Sequence, residues 1–390
     1  MGVDVQNHMT PDLPKKQLAS KSSKKRAPTS KPPFTPGQLK SLVPPHCFQR
    51  SLPRSLFHLI QDLVIIAVFS YVAVTYIPLL PWPVQWVAWP LHWVAAGTVA
   101  FGLWFLGHEL GHHAFSEYEW LNDTIGFLVH SSMLVPYQSW KFSHHMHHVH
   151  TGSLEKDVAH LPRQKPSTLR RYLNSPVGRI IFLLLILTVG WPLYLICNLT
   201  GRKYSRFNSF LDPNAPMYPP RMRLQVHLAN AGVLAMAAIL AWLANTQGLA
   251  WLAAVYWGPL VVVNPWLVTI TLTNHVHPSL PHYAKGKWDW LRGTITSTVD
   301  RDFGWFLNYL FHNTPNVHMM HHLFPKMPHY RLQEATDKLR PILGDYYQRD
   351  TAPPHKALYE AIKECVLVKE DVDKRGVFWY SALLEAMIEQ

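Results

Sequence analysis

Between residues 63 and 270 the chain alternates long apolar runs with short links, and each run approaches the ~20 residues that a helix needs to cross hydrocarbon. The first two runs, residues 63–80 and 84–106, are joined by Pro81-Trp82-Pro83, which carries no charge. Arg50 and Arg54 precede the first run, so the pair reads as a hairpin with both ends cytosolic. Trp86, Trp89, Trp93 and Trp104 suit the second run to interfacial anchoring. Residues 126–137 are apolar but too short to span. Three more candidates follow at 180–199, 228–244 and 249–270. The loop 201–227 carries Arg202, Lys203, Arg206, Arg221 and Arg223 and should stay cytosolic, whereas the uncharged link 245–248 fits a far-side turn.

Parity then matters, because polar, histidine-rich stretches lie both before and after these three runs. An even number of crossings keeps those stretches on one face. The pattern therefore predicts an all-α membrane protein with four transmembrane helices in two hairpins. The run 180–199 is expected to dip in and return near Gly190-Trp191-Pro192. Interfacial helices and a cytosolic helical cap complete the fold, with a helix near 332–343.

Outside the runs, residues 1–45 are basic (Lys15, Lys16, Lys21, Lys24, Lys25, Arg26, Lys31) and poor in apolar residues, which predicts a disordered cytosolic tail. Its Ser- and Lys-rich character also admits a plastid transit peptide, and hence a plastid membrane, as the rival location. Residues 46–345 form the membrane and catalytic domain, and 346–390 a cytosolic C-terminal segment.

Composition agrees with a membrane setting. Only 15% of the 390 residues are charged, against ~25% in soluble domains. Cys47, Cys197 and Cys365 are scattered, which suits neither a disulfide framework nor a thiolate metal site. The net charge of +12 favours anionic headgroups and acidic partners; without a recognition motif it does not argue for nucleic acid.

The 24 histidines equal the acids in number, and their spacing carries the chemistry. GHELGHHAF sets His108 and His112 four apart, FSHHMHHVHTG sets His144, His147 and His148 as H-x-x-H-H, and NVHMMHHLFP repeats that spacing at His318, His321 and His322. On a helix, positions i, i+3 and i+4 share a face, so each set aims its imidazoles at one point. Eight imidazoles exceed one tetrahedral zinc and suit two metals of higher coordination, most plausibly iron, since imidazole supports a redox metal. His275, at the end of the last run, is a ninth candidate, preferred over His277 because Pro278 ends the helix. His113 is the alternative to His112. His145 and His150 fall off the ligand face, and His92 reads as a belt residue on the far side. Asp123, Asp157, Asp300, Asp302 and His312 are candidates to orient ligand rings by hydrogen bonds, with His282 and His329 as further possibilities. A histidine-rich metal transporter is a remote alternative, because its ligands would lie within the spans rather than at their ends.

At these boxes the chain resembles the membrane fatty-acid desaturases, most closely the microsomal delta-12 (oleate) branch. HELGHHAFSEYEWLNDT, SWKFSHHMHHVHTGSLEKD, NHVHPSLPHY, WDWLRGTITSTVDRDFG, HHLFPKMPHY and PILGDYYQRD carry the resemblance. It implies a di-iron centre held by His108, His112, His144, His147, His148, His318, His321 and His322, with His275 as an additional ligand. It further implies an endoplasmic-reticulum enzyme that converts oleoyl chains on phospholipid to linoleoyl chains, with dioxygen and two electrons from cytochrome b5 and its reductase. No GxGxxG or HPGG motif is present, so the chain should carry no flavin or haem of its own. Leu110 stands where the branch has Cys, HHMHH replaces HRRHH, HMMHH replaces HVAHH, and the tail lacks an aromatic-rich retrieval signal. HLFPKMPHYRL leans toward the omega-3 (delta-15) branch. An omega-3 desaturase, or a hydroxylase, acetylenase or conjugase, shares every ligand and is the alternative outcome.

Overall fold

The computed structural model describes residues 25–165 and 167–383. In chain order its helices are α1 (Pro36–Leu42), α2 (Leu52–Tyr76), α3 (Trp82–Gly111), α4 (Glu119–Ser132), α5 (Tyr137–His150), α6 (Thr168–Tyr172), α7 (Pro176–Cys197), α8 (Arg223–Gln247), α9 (Leu249–Leu252), α10 (Gly258–His275), α11 (Trp290–Thr296), α12 (Trp305–Leu310), α13 (His318–Leu323), α14 (His329–Leu343) and α15 (Pro354–Glu364). Five helical stretches are long and apolar enough to cross a membrane: Leu52–Leu79, Trp82–Gly111, Pro176–Cys197, Pro220–Gln247 and Leu249–His275.

The central strut is α3. Almost everything from Ala96 to Leu110 is buried, and small residues let neighbours approach its backbone. A β-carbon at Gly97 would strike the Pro259 carbonyl and Val262 of α10, and one at Gly102 would strike the Leu310 carbonyl at the end of α12. By contrast α2 and α8 leave Phe57, Val68, Leu228 and Leu234 exposed, as lipid-facing helices do. The 14-residue α4 is too short to span, as its apolar stretch predicted.

Helix α7 corrects the re-entrant expectation for 180–199. It runs unbroken from Pro176 to Cys197, with Pro192 accommodated inside it, so the chain does not turn back at Gly190-Trp191-Pro192. A helix in an apolar medium keeps its hydrogen bonds internal, and reversing midway would expose them. Both flanks of α7 are tied to neighbouring segments. Before it, Arg170 donates to the Ile362 carbonyl of α15; after it, the Arg202 amide donates to the Val158 carbonyl beside box two.

The tail expectation also needs correction from residue 25 onward; residues 1–24 lie outside the described part. Thr35 caps α1 in a reciprocal capping box with Gln38, and Leu39, Val43 and Cys47 are buried against α13 and α14. Leu39 on α1, Val43 at its C-cap and Cys47 in the turn that follows outweigh the basic composition around them.

Nor is the cap purely helical. Strands β1 (Pro281–Tyr283), β4 (Leu367–Glu370) and β5 (Val377–Ser381) form an antiparallel sheet in the order β1-β5-β4, while β2 (Asp300–Arg301) pairs in parallel with β3 (Arg349–Asp350). In β5 the buried Val377 and Trp379 alternate with half-buried neighbours, the period-two pattern of a strand. The sheet clamps the segment after α10 and leaves His275 where α10 leaves the membrane-spanning bundle.

Candidate metal centre

Three helix ends deliver the boxes to one place. His108 lies in the last turn of α3 with His112 at its cap; α5 carries His144, His147 and His148; α13 carries His318, His321 and His322. The rings sort into two groups. In the first, His108 Nε2 lies 2.8 Å from His321 Nε2, 3.0 Å from His112 Nε2 and 3.0 Å from His144 Nε2, and His148 Nε2 is 3.0 Å from that of His144. In the second, His275 Nε2 lies 2.8 Å from His318 Nε2 and 3.2 Å from His147 Nε2, with His322 against both His275 and His318. His148 and His322, one from each group, stack at 3.9 Å with an interplanar angle of 5°, so the two clusters touch.

This convergence fits cations. A neutral imidazole has one N–H and one lone pair. His147 places Nδ1 2.9 Å from Asp157 Oδ1, which fixes the proton there and leaves the Nε2 lone pair directed at His275. Facing lone pairs repel unless a metal ion lies between them. Burial, followed by the neighbouring imidazoles, pushes His112, His144, His148, His318 and His322 well below the ordinary histidine range. The rings are therefore neutral and available as ligands. His322 Nε2 is also buried without a hydrogen-bond partner among the described residues.

Packing holds the donors in register. Trp140 stacks on His144 at 4.7 Å and Phe105 lies 4.7 Å from His108, excluding water from the first group. Thr151 Oγ1 lies 3.1 Å from His322 Nδ1. Glu109 Oε1 approaches His321 Nδ1 to 3.3 Å, an ion-pair distance without hydrogen-bond geometry. For Asp157, burial raises the carboxyl, but His147, together with His160 and the Ala159 amide, more than offsets it, and the carboxyl lies below its ordinary value.

The other sequence candidates separate cleanly. His113 turns outward at φ 57°, with Nε2 2.7 Å from Lys141 Nζ, and does not replace His112. His277 pairs with Ser279 and Asp350, so His275 is the residue in the cluster. His145 is exposed, His150 bonds the Met146 carbonyl, and His92 packs on Trp89 in the distant half of α3. Of the proposed orienting residues only Asp157 touches a clustered ring. Asp123 accepts from Tyr137 and Lys141, and Asp302 from Gly304, Asn308 and Arg349. Asp300 accepts from the Met319 amide, fixing the backbone of α13 rather than a ring. His312 bonds Asp62 and His282 packs on Tyr380.

Sequence reasoning missed His160, Thr151 and the contact of Glu109. His160 brings a nitrogen within 4.8 Å of those of His147 and His275, and its ring lies 4.5 Å from His275. It sits in a loop outside any H-x-x-H pattern; its one sequence signal was proximity to Asp157.

The fold and site define a helical membrane protein with a polyhistidine metal centre at the ends of its spanning helices. Residues 84–353 match the family model described as fatty acid desaturase. The chain is 51% identical to a delta(12)-fatty-acid desaturase of Arabidopsis thaliana, covering 92% of this chain and 94% of that one. It is 49% identical to an endoplasmic-reticulum omega-6 fatty acid desaturase of Brassica juncea, over 92% and 94%, and 48% identical to a bifunctional desaturase/conjugase of Vernicia fordii, over 98% and 99%. The chain belongs to the fatty acid desaturase family and is an oxidoreductase of lipid chains.

Proposed function

We propose that the protein is an acyl-lipid delta-12 desaturase converting oleoyl to linoleoyl chains, with two irons held by its histidines. His108, His112, His144, His148 and His321 form one donor set, and His147, His160, His275, His318 and His322 the other. The observation that carries this reading is the convergence of all three boxes and His275 in two touching clusters, at nitrogen separations of 2.8–3.2 Å. Bound there, iron supplies the dioxygen chemistry that removes hydrogen from an unactivated methylene. Overall, the acyl chain loses two hydrogens, and dioxygen with two electrons and two protons becomes two waters.

The chain's own residues do the positioning. Neutral imidazoles leave the charge on the metals, Asp157 and Thr151 orient ring nitrogens, and Trp140 and Phe105 keep water out. Because the donors lie at the ends of spanning helices, a lipid chain reaches them without leaving the bilayer, and its depth selects the carbon that reacts. The electron donor is cytochrome b5, whose acidic face suits a chain of net charge +12. The protein resides in the endoplasmic reticulum with the histidine face cytosolic, following Arg50, Arg54 and the basic loop 201–227.

Expression in yeast with fatty-acid profiling tests the regiochemistry. Linoleate accumulation is the expected result, and alpha-linolenate or ricinoleate without linoleate would refute it. A conjugase activity is the second reading, favoured by the similarity to the desaturase/conjugase of Vernicia fordii, and it would appear as conjugated trienes.

A further inference from the structure

Away from the two-metal centre, a second set of histidines meets. His58 and Asp62 stand one helical turn apart on α2, while His312 and His329 lie just before and just after the segment that carries box three. One nitrogen from each of His58, His312 and His329 lies within 4.8 Å of the other two. Asp62 Oδ2 is 2.8 Å from His312 Nε2, and both side chains are 2% exposed.

Two features make this more than a packed polar patch. His58 Nδ1 and His329 Nε2 are buried with no hydrogen-bond partner among the described residues, although His329 is only 4% exposed. In addition, His312 and Asn313 adopt φ of 50° and 61°, the left-handed region that non-glycine residues rarely enter in succession. That turn directs the His312 ring at Asp62. Imidazole nitrogens buried close together without a partner are costly unless a cation joins them.

We propose that His58, His312 and His329 form a third metal site, distinct from the catalytic pair, that takes one zinc ion, with Asp62 orienting the His312 ring from behind. Three imidazole nitrogens and one water complete a tetrahedral zinc shell, and the His312–Asp62 hydrogen bond is the carboxylate–histidine arrangement that orients a ligand ring. Tetrahedral donors lie ~3.3 Å apart, so modest ring rotations close the present spacing. The ion clasps both ends of the box-three segment to the first spanning helix. Helix α13, with only 6 residues, gains an anchor on each side.

The test is metal quantification on the purified full-length protein, with iron and zinc measured together in wild type and in His58→Phe/His329→Gln. The expected wild-type total is about three metals per chain, falling to about two in the variant while the iron count is unchanged. A wild-type total of about two, or a variant that keeps all three, overturns the proposal. Zinc-edge X-ray absorption of the wild type guards against a variant that does not fold. Four N/O donors at about 2.0–2.1 Å support the clasp, and a five-nitrogen shell, placing zinc among the box histidines, refutes it.

Discussion

His147 Nδ1 sits 2.9 Å from Asp157 Oδ1, with both side chains almost wholly buried, and this pair decides which nitrogen of His147 faces the metal centre. The same oxygen also accepts from the Ala159 amide, so it is fixed by two partners. An Asp157→Asn substitution keeps the shape but removes the charge that fixes the ring proton. Metal affinity is expected to fall about 10–100-fold, measured by competition with a chelator. Unchanged affinity would mean that the pair is only packing.

A second prediction concerns His160. Its ring lies 4.5 Å from His275 and 5.2 Å from His147, within the 4.3–6.4 Å range of ring spacings in the first donor group. His160→Phe should alter the Mössbauer signature of one iron and leave the other unchanged. Two unaltered signatures would show that His160 packs beside the site without binding it.

Packing against α3 gives a third. Any side chain at Gly102 meets the Leu310 carbonyl, which is backbone and cannot swing away. Gly102→Ala should therefore cost about 1–3 kcal/mol, seen as a lower melting temperature in detergent. A melting temperature equal to wild type would contradict the close approach of α3 and α12.

The pH dependence of Asp123 gives a fourth. Burial raises its carboxyl, but hydrogen bonds from His113, Lys141 and Tyr137 outweigh it and bring it to about 2. The folded value lies below the unfolded one, so the carboxylate stabilises the fold above pH ~4 and loses that contribution as pH falls toward 2. The melting difference between wild type and Asp123→Asn should shrink between about pH 6 and pH 3. A gap that is constant across that range would show that the group is not linked to folding.

The parts of the centre that sequence revealed are those written in helical periodicity. H-x-x-H-H specifies its own geometry once the segment is helical, so His144, His147, His148, His318, His321 and His322 were legible, and Pro278 helped select His275. His160 was not, because a loop carries no periodicity and only the tertiary fold brings it to His275. Asp123, Asp300 and Asp302 were plausible by proximity along the chain, yet each was taken by a nearer partner: Lys141, the Met319 amide and Arg349. Composition misled for residues 25–45, where Leu39, Val43 and Cys47 bury a face despite basic surroundings. Helix α7 was misjudged because an even number of crossings, rather than hydropathy, was used to fold it back, whereas the helix runs unbroken through Pro192.

The most direct test of the central claim is the number of irons bound per purified chain, compared between wild type and His275→Ala. The account predicts about two irons in wild type and about one in the variant, with the first donor group still loaded. A single iron in wild type, or an equal count in both proteins, would contradict a centre built from two histidine sets.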